Sequence, residues 1–112
     1  MPDLKNSLDM NEMRVAATAA CGLLKVLSNP DRLLLLCQLT QCPHFVSELE
    51  TILGIQQPTL SQQLGVLRDE ALVSTQREGK QIFYSIASKE AQAIMQVLYQ
   101  QYCGNPNGAA SC

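Results

Sequence analysis

The stretch Val46-Ser47-Glu48-Leu49-Glu50-Thr51-Ile52-Leu53-Gly54-Ile55-Gln56-Gln57-Pro58-Thr59-Leu60-Ser61-Gln62-Gln63-Leu64-Gly65-Val66-Leu67-Arg68-Asp69-Glu70 holds two short helical patterns separated by a glycine. Val46, Leu49, Ile52 and Leu53 recur at the spacing that turns one helical face inward, and Gly54 is a natural C-terminal stop. A second helix is predicted from about Pro58 to Glu70, with Leu60, Leu64 and Leu67 on one stripe. Two short helices joined by a tight turn are the signature of a helix-turn-helix, whose second helix enters the major groove of DNA. With the leucines facing the core, a rotation of about 100° per residue puts Pro58, Thr59 and Gln62 outward. Gln57 precedes that helix, and Ser61 and Gln63 lie on its flanks. Glutamine can make two hydrogen bonds to adenine, and threonine can bond a base or touch a thymine methyl.

The surrounding sequence extends this unit on both sides. Downstream, Val73-Ser74-Thr75-Gln76-Arg77 and Gln81-Ile82-Phe83-Tyr84-Ser85-Ile86 are rich in β-branched and aromatic residues and flank Glu78-Gly79-Lys80, which predicts a hairpin with a basic tip. Arg77 and Lys80 on the hairpin would reach phosphate or the minor groove, and Arg68 would anchor the backbone; such contacts position a protein without specifying sequence. Upstream, Asn11 to Leu27 places Met13, Ala16, Ala17, Ala20, Leu23, Leu24 and Leu27 on an amphipathic helix. Ser28-Asn29-Pro30-Asp31 then caps a second helix, Pro30 to about Gln41, which is apolar nearly all round and so reads as the central core helix. A last helix, about Ser88 to Tyr102, carries Ala91, Ile94, Met95, Leu98 and Tyr102 on one side. No charged side chain occurs from Ala91 to Cys112. An uncharged terminal helix suggests burial against another subunit, with the Ala-rich first helix contributing. The expected fold is mainly α with a β-hairpin wing, a winged helix-turn-helix forming a homodimer through its first and last helices. Residues 1–10 read as an N-terminal arm, 11–103 as the DNA-binding and dimerisation domain, and 104–112 as a flexible tail.

Composition sets the outer limits. The 112 residues are 46% hydrophobic and 16% charged, so the chain is one small globular domain and not a disordered one. No apolar run is long enough to span a membrane, and charges interrupt the place of a signal peptide, which points to the cytoplasm. The net charge of −2 is unpromising for blanket attraction to DNA. Between Arg68 and Lys89, however, four basic residues face three acidic ones, so DNA affinity must come from placement. An enzyme such as a thiol reductase would want a Cys-x-x-C or a cysteine with a catalytic histidine. The chain has no Cys-x-x-C and little spare length, and its one histidine, His44, reads as surface or structural. A pure interaction module remains the other competing class.

Taken in order, Asn29-Pro30-Asp31-Arg32 before Leu33-Leu34-Leu35-Leu36-Cys37-Gln38-Leu39, then Ser47-Glu48-Leu49, then Gln57-Pro58-Thr59-Leu60-Ser61-Gln62-Gln63-Leu64-Gly65-Val66-Leu67-Arg68, then Phe83-Tyr84, the chain resembles the ArsR family of bacterial winged-helix repressors over about residues 11 to 103. The resemblance implies a homodimer that binds an inverted-repeat operator in double-stranded DNA and leaves it when an effector arrives. Gln63 departs from the histidine frequent in the family at that place.

Five cysteines, Cys21, Cys37, Cys42, Cys103 and Cys112, bear on the effector. Cys37-Gln38-Leu39 stands where the arsenic, cadmium and lead sensors carry Cys-Val-Cys, and the last helix lacks the His and acidic ligands of the zinc sensors. No resident metal or cofactor is expected. The contexts of Cys37 and Cys103 resemble instead the sulfide- and redox-responsive branch, the BigR, SqrR, YgaV and HlyU group. That resemblance implies that the pair becomes linked, by a disulfide or a short polysulfide bridge, when reactive sulfur species or oxidants accumulate. The alternative is a metal(loid)-responsive repressor using Cys37 and Cys42 as soft ligands. Cys21 reads as packing, and Cys112 as incidental.

Overall fold

A computed structural model describes residues 9–103. The first helix, α1 (Met10–Leu27), starts at Asp9, whose carboxylate accepts the Glu12 N–H at 2.7 Å while the Glu12 side chain accepts the Asp9 N–H. This reciprocal cap stabilises a helix end that would otherwise leave its donors unpaired. The predicted arm therefore gives up Met10 to the helix; its remainder before Asp9, the tail 104–112 and Cys112 lie outside the described residues. α2 (Pro30–Gln41) begins with Asn29 accepting the Arg32 N–H and with proline in the first turn, as its sequence dictates.

The helix-turn-helix is α3 (Val46–Leu53) followed by α4 (Thr59–Asp69). Gly54 ends α3 at φ 70°, a left-handed conformation that glycine adopts without a Cβ penalty. In the turn, Ile55 is buried. After α4 the chain reverses at Ala71, which holds φ 61° without being glycine. Leu72 is drawn into the core there and donates its N–H to the Leu67 carbonyl.

Strands β2 (Val73–Glu78) and β3 (Gln81–Ile86) form the wing, paired from Val73 with Ile86 to Glu78 with Gln81. Only Gly79 and Lys80 bridge them, Gly79 at φ 64°, which suits a tight hairpin turn. The hairpin carries an unforeseen third strand. β1 (His44–Phe45) pairs antiparallel with β3, His44 opposite Tyr84 and Phe45 opposite Phe83, with the two phenyl rings 4.5 Å apart. α5 (Lys89–Tyr102) completes the chain, capped by the Ser88 hydroxyl on the Ala91 N–H.

Leu35, Leu36 and Leu39 of α2 are buried at the centre, surrounded by Leu49, Leu60, Leu64, Leu67, Tyr84, Ala91 and Met95. Several expected core positions depart from that pattern. Ile52 is half exposed, because it lies about 60° round the helix beyond Leu49, at the edge of the stripe that Val46, Leu49 and Leu53 define. Leu34 is on the open side of α2, so that helix is not buried all round. Tyr102 is in phase with Leu98 but 85% exposed, although α2 lies beside that end of α5. On α1 only Val26 and Leu27 are buried, and from Met10 to Lys25 every residue except the half-buried Leu23 is exposed, Cys21 included. Over residues 10–20 the apolar face read from the sequence exists, but nothing among the described residues covers it.

Candidate nucleic-acid interface and thiol groove

The reading helix α4 presents its residues as its leucine phase requires. Pro58, Thr59, Ser61 and Gln62 are exposed, opposite the buried Leu60, Leu64 and Leu67. Gln57 is exposed just ahead of them; its side-chain oxygen accepts both the Ser61 N–H and the Ser61 hydroxyl, the latter at 2.6 Å. That bond holds Gln57 and Ser61 as a pair and leaves the Gln57 amide nitrogen as the group able to donate to a base. Gln63 differs from the others. It is half-buried, and its side-chain oxygen accepts from Arg32 Nη1 at 2.9 Å.

Arg32 is the residue that the sequence reading did not single out for this site. Its Nε donates to the Val26 carbonyl at 2.6 Å while its Nη1 holds Gln63, so one guanidinium ties the end of α1 and the flank of α4 to the start of α2. A signal was present in the sequence. A cation in the first turn of a helix opposes the helix dipole, and such a placement calls for specific partners.

Arg77 and Lys80 lie exposed on the wing, and all of β2 after Val73 is exposed, while β3 packs on the body through Tyr84. Arg68 is exposed in the last turn of α4. Side chains that read bases and side chains that meet phosphate should separate experimentally. Gln62→Ala should narrow the preference for a specific site over random DNA by about 1–3 kcal/mol. Lys80→Ala should weaken binding to every sequence and flatten the slope of log K against log salt by about 0.9. Titrations of both variants on specific and random duplexes at several salt concentrations make the distinction.

A second feature lies between α2 and α5. Cys37 and Cys103 line one groove of about 470 Å³ with Leu33, Leu34, Met95, Leu98, Tyr99 and Tyr102. Both cysteines are unbridged thiols, Cys37 half-buried and Cys103 exposed. Burial, and after it the negative charge that Cys103 would carry, push the Cys37 thiol above its ordinary value. The folded chain therefore holds that proton more tightly than the unfolded one. The associated stability is fully present below the ordinary thiol value and is lost as pH rises through the folded value. Alkylation of Cys37, followed by peptide mass spectrometry, should still be accelerating with pH where that of an unperturbed cysteine has levelled off.

The alternative metal(loid) reading rests on Cys37 and Cys42 as soft ligands. Among the described residues no group of three or more His, Cys, Asp or Glu side chains is placed to hold a metal ion. His44 is buried, with Nδ1 3.3 Å from the Glu48 carboxylate and Nε2 3.1 Å from the Gln38 amide. No helix among the described residues is long and apolar enough to cross a membrane.

A reading helix with a polar outward face, a basic wing beside it and a core helix behind it define a winged helix-turn-helix DNA-binding protein. The family model for bacterial regulatory proteins of the arsR family matches residues 29–75, and the chain belongs to that family. It is 48% identical to the biofilm growth-associated repressor of Agrobacterium fabrum, over 89% of this chain and 90% of that protein. The crystal structure of the transcriptional repressor BigR from Xylella fastidiosa is similar at TM-score 0.79 and 44% identity, covering 88% of this chain and 97% of that one. Reduced HlyU from Vibrio cholerae is similar at TM-score 0.80 and 37% identity, covering 84% of this chain and 99% of that one. The protein is thus a DNA-binding transcriptional regulator, and its relatives are regulators and not enzymes.

Proposed function

We propose that the chain acts as a homodimeric repressor on an inverted-repeat operator, bound while its thiols are reduced and released when Cys37 and Cys103 are joined. The observation that carries this reading is the sharing of one groove by the two thiols, one from the core helix and one from the end of α5. The uncovered apolar residues of α1 and α5, among them Met10, Met13, Val15, Leu24 and Val97, support a second copy as the missing cover. Two reading helices related by a two-fold axis match a palindromic site, and their spacing follows the dimer geometry.

In the reaction, the two thiols give up two protons and two electrons. With hydrogen peroxide as oxidant the products are a disulfide and water. Cys103 is the sulfur open to solvent, and Cys37 is kept protonated by its setting, so reagents arriving from solution meet Cys103 first. With a persulfide, RSSH, the terminal sulfur passes to Cys103 and RSH departs. A second RSSH then accepts the electron pair and two protons and leaves as RSH and hydrogen sulfide, as the three-sulfur bridge to Cys37 closes. Gln57, Pro58, Thr59, Ser61 and Gln62 face the bases in this reading, Arg68, Arg77 and Lys80 meet the phosphates, and Gln63 orients through Arg32.

Fluorescence anisotropy with the DNA upstream of the protein's own gene tests the proposal. Tight binding by the reduced protein, lost on exposure to a polysulfide donor and restored by reductant, is the expected result. Release by zinc or arsenite alone would overturn the thiol reading, and no binding in any state would overturn the operator reading.

A further inference from the structure

A third thiol lies outside that groove and has what Cys37 lacks. Cys42 ends α2 half-buried, with its sulfur 3.6 Å from His44 Nε2. His44 Nδ1 in turn lies 3.3 Å from Glu48 Oε1, and the same oxygen accepts the Phe45 N–H at 2.9 Å, which fixes the carboxylate at the start of α3. The Phe45 N–H first, and His44 after it, hold the Glu48 carboxyl below the usual carboxylate range, so it is ionised at neutral pH. A carboxylate on Nδ1 fixes the proton there and leaves Nε2 as the acceptor. The order thiol, imidazole, carboxylate is the arrangement that activates a cysteine: the base takes the thiol proton and the carboxylate stabilises the imidazolium that results. Once protonated, Nε2 faces the thiolate sulfur as an ion pair, and the neighbouring Gln38 amide can turn its oxygen toward the same N–H.

The geometry points to Cys42 as a thiol–disulfide exchange site, activated by His44 and Glu48, that takes small disulfides independently of the Cys37 and Cys103 groove. The Cys42 thiol passes its proton to His44 Nε2, and the thiolate attacks one sulfur of a disulfide RSSR. The bond Cys42–S–SR forms, the RS–SR bond breaks, and the leaving thiolate takes the proton from His44 and departs as RSH. The incoming disulfide is the oxidant, and no other reagent is consumed.

The test uses the full-length reduced protein with a neutral probe, bis(2-hydroxyethyl) disulfide, at pH 7 without oxygen. Samples are quenched with acid, and adduct formation at each cysteine is followed by peptide mass spectrometry. The reference is the same Cys42 in the chain unfolded in guanidinium chloride. Simple exposure cannot make a folded thiol faster than an unfolded one, whereas activation can. Native Cys42 is expected to react about tenfold faster than unfolded Cys42. Glu48→Gln keeps an oxygen for the Phe45 N–H while removing the charge, and should slow native Cys42 several-fold; His44→Gln should remove the advantage altogether. A native rate at or below the unfolded rate overturns the proposal. So does a native rate that neither substitution changes.

Discussion

Cys103→Ser should leave the reduced protein's operator affinity within about twofold of the parent and abolish its response to a polysulfide donor. In the parent the response is expected to be about 5- to 150-fold in affinity, the range a coupling free energy of a few kcal/mol produces. The asymmetry follows from position. Cys103 is exposed at the end of α5 and belongs to no buried cluster, so replacing its sulfur by oxygen disturbs little packing. It is nevertheless one of only two sulfurs lining the groove apart from the Met95 thioether, so no thiol there can substitute for it. Anisotropy titrations of parent and variant, before and after the donor, check both halves. A variant that still responds would show that the bridge is not the signal, and a variant that no longer binds when reduced would give Cys103 a structural role.

Leu64→Ala should destabilise the fold by about 2–5 kcal/mol, measured by urea denaturation of the reduced protein. Leu64 is 1% exposed and sits in the middle of α4, packed in the same cluster as Leu35, Leu36, Leu49, Leu60 and Leu67. The loss has two parts, the removed transfer free energy and the cavity left where the rigid neighbours do not collapse. Because domains of this size have little stability to spare, the variant should also bind DNA poorly at ambient temperature. A cost below about 1 kcal/mol would mean that α4 repacks around the hole, contrary to the close packing of folded interiors.

The two helices of the reading unit are legible because their leucines repeat at helical spacing and Gly54 marks the stop. Burial follows that phase in α4, and so does the exposure of Pro58, Thr59 and Gln62, while in α3 Ile52 falls outside the buried stripe. Strand β1 is not legible. His44 and Phe45 have no periodicity of their own, and only the distant partner strand defines them. Ala71 is a similar case, since its left-handed turn is imposed by the burial of Leu72 and carries no glycine to announce it. On α1 the pattern does mark an apolar face, but sequence period cannot say whether the cover comes from the same chain. The Arg32 bond to Gln63 spans 31 positions and joins the start of α2 to the flank of α4. Long-range polar pairing of this kind leaves no local trace.

Arg32 also decides what sort of machine the molecule can be. It stands one and a half turns before Cys37 on α2, and its two grips reach backward to α1 and sideways to α4. Beside the leucine core that these three helices share, one guanidinium therefore adds a directional polar link among them. If joining Cys37 and Cys103 displaces α2, this link is one route by which the displacement would reach α4. On the proposed thiol switch, removing that link should leave DNA binding and thiol chemistry in place and weaken the coupling between them. A switch of the proposed kind would then be open to loss at a residue that lines neither the thiol groove nor the exposed face of α4.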